Sequence, residues 1–157
     1  MQASFFIASD IYNSHLNDIL YLDGNIAQSF SQSSYIAING DIEYTASLIP
    51  FEGVTLDQAH KELKNAIKNL RDRSITKKEI EIARAKNVAY AKSLSQSPRA
   101  YLDFFQNLGS DGLPPVSPKE FAKMIADAPI KDILKIITAF SSDGPNAAIL
   151  AKLDVER

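Results

Sequence analysis

With 157 residues, 45% apolar and 23% charged, the chain has the size and composition of one globular domain, residues 1–157, able to bury a substantial core. It contains no cysteine, which excludes disulfides and thiolate zinc sites, and no apolar run near the ~18 residues needed to span a bilayer. The formal net charge is −2, yet residues 1–60 carry seven acidic residues and no Lys or Arg, whereas residues 61–99 carry eleven Lys/Arg against four acidic residues. That asymmetry fits either an internal electrostatic match or a basic surface facing an anionic partner.

In chain order, residues 2–12 place Phe5, Ala8, Ile11 and Tyr12 at helical spacing, and Phe6 and Ile7 make the segment apolar almost all round. Asn13 and Ser14 read as a break and N-cap, followed by a second short helix carrying Leu16, Ile19 and Leu20. A competing reading makes 19–22 a strand paired with 25–30 around Asp23-Gly24. Asn39-Gly40 between Ile36-Ala37-Ile38 and Ile42-Glu43-Tyr44 predicts a hairpin, with antiparallel strands over about 25–38 and 41–49. Leu56, Ala59, Leu63, Ala66, Ile67 and Leu70 form the apolar stripe of a long helix, and Lys61, Lys64, Lys68 and Arg71 form a basic stripe on its outer side.

Thr76 and Glu79 make a capping box, so a helix starts there and runs to about Gln96. Ser97-Pro98 opens the next helix, with Tyr101, Leu102, Phe104, Phe105 and Leu108 as its aromatic face, and a loop over Gly109 to Val116 follows. Ser117-Pro118-Lys119-Glu120 combines N1 proline with another capping box, and Phe121, Met124 and Ile125 are expected to face inward. A last helix, about 130–141, carries Ile130, Ile133, Leu134, Ile137 and Phe140, and Ala147 to Leu153 reads as a closing strand. The fold class is α+β, with helices packed on a short antiparallel sheet.

Pro50-Phe51-Glu52-Gly53-Val54-Thr55-Leu56, a helix, and then Ile75-Thr76-x-x-Glu79-Ile80-x-x-Ala83-Arg84 resemble the C-terminal-type domain of the pitrilysin/insulinase (M16) zinc metallopeptidases. Ser14-His15-Leu16 through Gly24-Asn25-Ile26-Ala27 is similar to the helix and turn that precede the strands of that domain. His15 stands where the family has an arginine and Gln28 where it has a tyrosine, two residues that help hold substrate there; this weakens any implied substrate grip. The resemblance implies an M16-like metallohydrolase half whose first strands would lie ahead of residue 1. The sequence itself fixes no compartment, and the resemblance alone points to the bacterial periplasm.

The family's catalytic motif, His-x-x-Glu-His, places two zinc ligands and a general base on one helix face. Here the only histidines are His15 and His60; Asp18 and Ile19 follow the first at helical spacing, Leu63 and Lys64 the second. Both read as solvated surface histidines, leaving no metal ligand and no catalytic residue to assign. The cluster Ser29, Ser31, Ser33 and Ser34 has no nucleophile elbow around it and reads as alternating polar strand positions. The expectation is therefore a non-catalytic partner half that helps to enclose a peptide chamber. Its partner would be a catalytic half, on the same chain or a separate subunit; zinc would be expected only there, and peptide substrate would be met only indirectly. Homo-oligomerisation is compatible with this reading, while a nucleic-acid partner and a membrane span are not expected. The alternative is a free-standing binding module using Lys61, Lys64, Lys68 and Arg71 to hold an anionic partner.

Overall fold

The computed structural model describes residues 2–22, 24–36, 42–110 and 115–140. Among these residues, six α-helices pack with a two-stranded antiparallel sheet, as the α+β reading requires. Helix α1 spans Gln2–Asn17 and is the centre of the packing. Ala3, Phe5, Ile7, Ala8, Ile11, Tyr12 and Leu16 are all buried, so this helix must be covered on several sides at once. Its aromatic rings show how. Phe5 lies 5.8 Å from Phe140, Phe6 lies 5.1 Å from Phe121, and Tyr12 lies 5.1 Å from Tyr44 in an edge-on contact. One helix thus touches the sheet and two later helices.

The expected break at Asn13-Ser14 does not occur. The helix continues through both residues to Asn17 and unwinds in a π-helical turn, Asp18–Leu22, that buries Leu20. Asn13 uses its side chain across the fold instead: Oδ1 accepts from the Tyr44 hydroxyl at 3.1 Å. Residues 19–22 are accordingly not a strand. The Leu20 carbonyl accepts from Ile26 N at 3.2 Å, and the Ile26 carbonyl accepts from Phe51 N at 3.0 Å, which fastens the end of α1 to the base of the hairpin. Gly24 permits this approach, since a Cβ there would lie 2.1 Å from the Ile19 carbonyl oxygen.

Strands β1, Ala27–Ile36, and β2, Ile42–Pro50, pair antiparallel with Phe30 opposite Leu48 and Ser34 opposite Tyr44. The Asn39-Gly40 turn lies outside the described residues. Phe30, Tyr44 and Leu48 pack against the core, while Ser29, Ser31, Ser33, Thr45 and Ser47 face outward, the strand alternation expected of the serines. Ser34 is on the inner face and bonds to Ser9 of α1 at 2.9 Å. A register shift between Ala27 and Ser29 places Gln28 and Ser29 both in solvent.

The remaining helices are α2, Leu56–Asp72; α3, Lys77–Ser93, ending in a 3₁₀ turn Leu94–Gln96; α4, Pro98–Ser110; α5, Pro118–Ala126; and α6, Ile130–Phe140. Three of them start from a complete capping box: Thr55 with Gln58, Thr76 with Glu79, and Ser117 with Glu120. Gly53, at φ +88°, makes the turn ahead of the first. Helix α4 is longer than expected, running to Ser110 where a loop from Gly109 was read. The closing strand read over Ala147 to Leu153 lies outside the described residues.

Four side chains expected to face the core do not. Met124 is 39% exposed and Leu134 37%, because Phe121, Ala122 and Ile125 carry the inner face of α5 and Ile133, Ile136, Ile137 and Phe140 that of α6. On α4 Phe104 and Leu108 are buried, while Leu102 and Phe105 stand in solvent. In each case the helix has more apolar residues than one face can hold, and packing selects among them.

Arg84 joins α3 to the end of α5. Its Nη1 donates to the carbonyls of Ile125, at 3.0 Å, and Ala126, and its Nη2 donates to that of Ala128 at 3.0 Å. The last carbonyls of a helix have no partner within it, and a cation there also faces the negative end of the helix dipole. A guanidinium fork meets both needs. We predict that Arg84→Ala lowers stability by about 2–3 kcal/mol in urea unfolding, with Arg84→Lys recovering only part of the loss because an ammonium has no fixed fork. A cost for Arg84→Ala below about 0.5 kcal/mol would contradict this assignment.

Candidate partner-contact face and the ion cluster beside it

Helix α2 begins where Thr55 Oγ1 accepts from Gln58 N at 3.2 Å and Gln58 Oε1 accepts from Thr55 N at 2.9 Å. From that fixed start, helical geometry turns Ala59, Ala66 and Leu70 into the core, with Leu63 and Ile67 half-buried beside them. Lys61, Lys64, Lys68 and Arg71 then fall on the opposite side, all exposed, along about 15 Å of helix. The structure thus brings the four predicted residues together. Arg71 Nε lies 3.7 Å from Asp72 Oδ1. Lys61, Lys64 and Lys68 make no ion pair among the described residues. Such a stripe presents point charges to an anionic surface.

Against known proteins, the chain matches no family model and no curated sequence. The site is therefore read from its own geometry.

His15 and His60 share no hydrogen bond among the described residues. Among the described residues, no group of three His, Asp or Glu is placed to hold a metal ion. His60 is a half-buried residue of α2. His15 is not the solvated side chain expected from sequence: only 12% of its side chain is exposed, and both ring nitrogens are engaged. Nδ1 lies 3.0 Å from Arg73 Nη1, and Nε2 lies 3.0 Å from Glu79 Oε1. A guanidinium only donates, so Nδ1 accepts, and Nε2 carries the hydrogen given to Glu79.

Glu79 is the node of this cluster. Its Oε1 also accepts from Arg73 Nη2 at 2.8 Å. Its Oε2 accepts from the Thr76 hydroxyl at 2.6 Å and from Thr76 N at 2.7 Å. The Thr76 hydroxyl hydrogen bond holds the carboxyl below the usual glutamate range; partial burial opposes this, and the Thr76 N–H, Arg73 and His15 reinforce it. One carboxylate therefore caps α3, holds the α2–α3 loop through Arg73 and clasps the end of α1 through His15.

Sequence reasoning located the capping box and missed the clasp, since nothing in local spacing places His15 beside Glu79. Near it, Lys86 pairs with Asp10, and Asn87 Nδ2 donates to Asp10 Oδ2 at 3.4 Å, a further α1–α3 tie. Here a residue from the acidic first third meets one from the basic middle, an internal match that accounts for part of the charge asymmetry.

Because folding lowers the Glu79 pKa, its contribution to stability is complete above the ordinary value of 4.5 and is lost as pH falls through the lowered one. Glu79→Gln keeps the geometry of a capping box and removes the charge seen by Arg73 and His15. We predict that this substitution costs about 1 kcal/mol at neutral pH, a modest figure because the cluster is partly open to solvent. The gap between wild type and variant in thermal unfolding should close between about pH 5 and pH 3. A gap that widens on acidification would contradict it.

Proposed function

We propose that this chain is a non-catalytic partner half of a pitrilysin/insulinase-type zinc metallopeptidase, helping to form the chamber that encloses a peptide and contributing by packing rather than chemistry. The observation that carries the reading is the segment from Pro50 to Arg84. A hairpin leads through the Gly53 turn into a helix capped at Thr55, and a second helix capped at Thr76 follows at once, with Arg84 reaching across to α5. This is the run of sequence on which the family resemblance rests, and its two helix starts fall at the threonines of that resemblance. The missing His-x-x-Glu-His motif supports the non-catalytic role within that reading.

A second reading has its own observation. Lys61, Lys64 and Lys68 are exposed and unpaired among the described residues, as a binding module for an anionic partner would need. The near-neutral composition favours the first reading, since nucleic-acid-binding domains are usually basic overall.

The test is affinity capture with this chain as bait at moderate salt, followed by mass spectrometry and a peptidase assay. The expected outcome is recovery of a polypeptide bearing His-x-x-Glu-His, whose zinc-dependent peptidase activity rises when this chain is added. Zinc-dependent peptide hydrolysis by this chain alone would overturn the non-catalytic assignment. Recovery of nuclease-sensitive material, lost with Lys64→Glu and Lys68→Glu, would replace the first reading by the second.

A further inference from the structure

Helices α3 and α5 leave an open groove of about 490 Å³ between them. Its floor is apolar, formed by Val88 of α3 and by Pro118, Ala122 and Ala126 of α5, and its rim carries three lysines, Lys92, Lys119 and Lys123. All three are exposed, and none of their ammonium groups makes an ion pair or hydrogen bond among the described residues. Among the described residues, no carboxylate lines the groove.

Three ammonium groups around one apolar strip repel one another and meet no counter-charge among the described residues. The basic stripe of α2 is different, being a row of charges on the outer side of a helix. Here charge and accessible apolar surface occur together. Lys119 and Lys123 stand one turn apart on α5, and Lys92 faces them from α3, so the cations flank a channel instead of crowding a point. The alanines on the floor let another backbone come close, and the volume lies in the range of ligand-binding clefts.

We propose that this groove docks an acidic amphipathic segment of a partner polypeptide. The segment's small apolar face would lie on Val88, Pro118 and Ala122, with Glu or Asp side chains reaching Lys92 on one side and Lys119 and Lys123 on the other. Charge complementarity selects the occupant: a basic or neutral helix would leave three ammonium groups beside a surface it had dehydrated, whereas an acidic one would pair them. The inference is independent of the partner-half reading, because it rests on α3 and α5 alone.

The test uses the whole chain and a fluorescein-labelled amphipathic peptide with an Ala/Leu face flanked by glutamates, read by fluorescence anisotropy. A matched peptide with lysines in place of the glutamates is the control. The expected result is saturable binding of the acidic peptide, with methyl NMR shifts confined to Val88, Ala122 and Ala126, weakened about tenfold or more by the combined Lys92→Glu, Lys119→Glu and Lys123→Glu substitution and by raised salt. Circular dichroism of that variant should match wild type, since all three positions are exposed. Ala126→Glu, at an exposed position of the same groove, is a second variant expected to abolish binding.

Equal binding of the basic peptide, or no saturable binding at low salt, would overturn the proposal. So would shifts at these methyls caused by dodecanoate but not by the peptide, or by self-association of the chain on concentration. Displacement of the peptide by duplex DNA at equal concentration would transfer the surface to nucleic acid and overturn it as well.

Discussion

Burial of α1 is the constraint from which the rest of the structure follows. A helix with Phe5, Ile7, Ala8, Ile11, Tyr12 and Leu16 all inside cannot lie on a surface. It needs cover from several directions, and the chain supplies it with the hairpin against Tyr12, α6 against Phe5 and α5 against Phe6. Phe121 then carries the contact outward to Phe104 of α4, at 4.9 Å. Because apolar burial has no direction of its own, polar contacts must fix how these layers sit. Tyr44 to Asn13, Ser34 to Ser9, and Lys86 and Asn87 to Asp10 do so along the length of α1. Burial pushes the Tyr44 hydroxyl well above the ordinary tyrosine range, and this hydroxyl is the donor to Asn13.

The Glu79 node and Arg84 divide the remaining work. Both sit on α3, and each joins that helix to an element far away in sequence. Glu79 reaches α1 through His15 and the preceding loop through Arg73; Arg84 satisfies three carbonyls at and just beyond the end of α5. The segment that opens with a simple capping box is thereby the polar joint of the fold. The basic residues are used in two ways: Arg73, Arg84 and Lys86 pair with groups of their own fold, while Lys61, Lys64, Lys68, Lys92, Lys119 and Lys123 are left to solvent and to whatever docks on them.

Local signals in the sequence were strong, and long-range ones were not. The Ser/Thr-x-x-Glu pattern fixed the starts of α3 and α5, and Thr55-x-x-Gln58 carries the same signature for α2. Asn39-Gly40 placed the two strands within a few residues of β1 and β2. The basic stripe of α2 was legible for the same reason, as helical spacing alone decides it. By contrast, the reading of Asn13-Ser14 as a break followed their turn propensity, which burial of Tyr12 and Leu16 on either side outweighs. Met124, Leu134, Leu102 and Phe105 were ambiguous because three apolar residues in one turn cannot all face inward. His15 and Arg84 have partners far along the chain, and no local periodicity encodes those contacts.

The measurement that tests this account most directly is a double-mutant cycle on His15→Ala and Glu79→Ala, read by urea unfolding at neutral pH. If Glu79 clasps the end of α1 through His15, the two substitutions will couple, with the double variant losing about 0.5–1.5 kcal/mol less than the sum of the singles. Additive losses would mean that Glu79 serves α3 alone and that α1 is held without it.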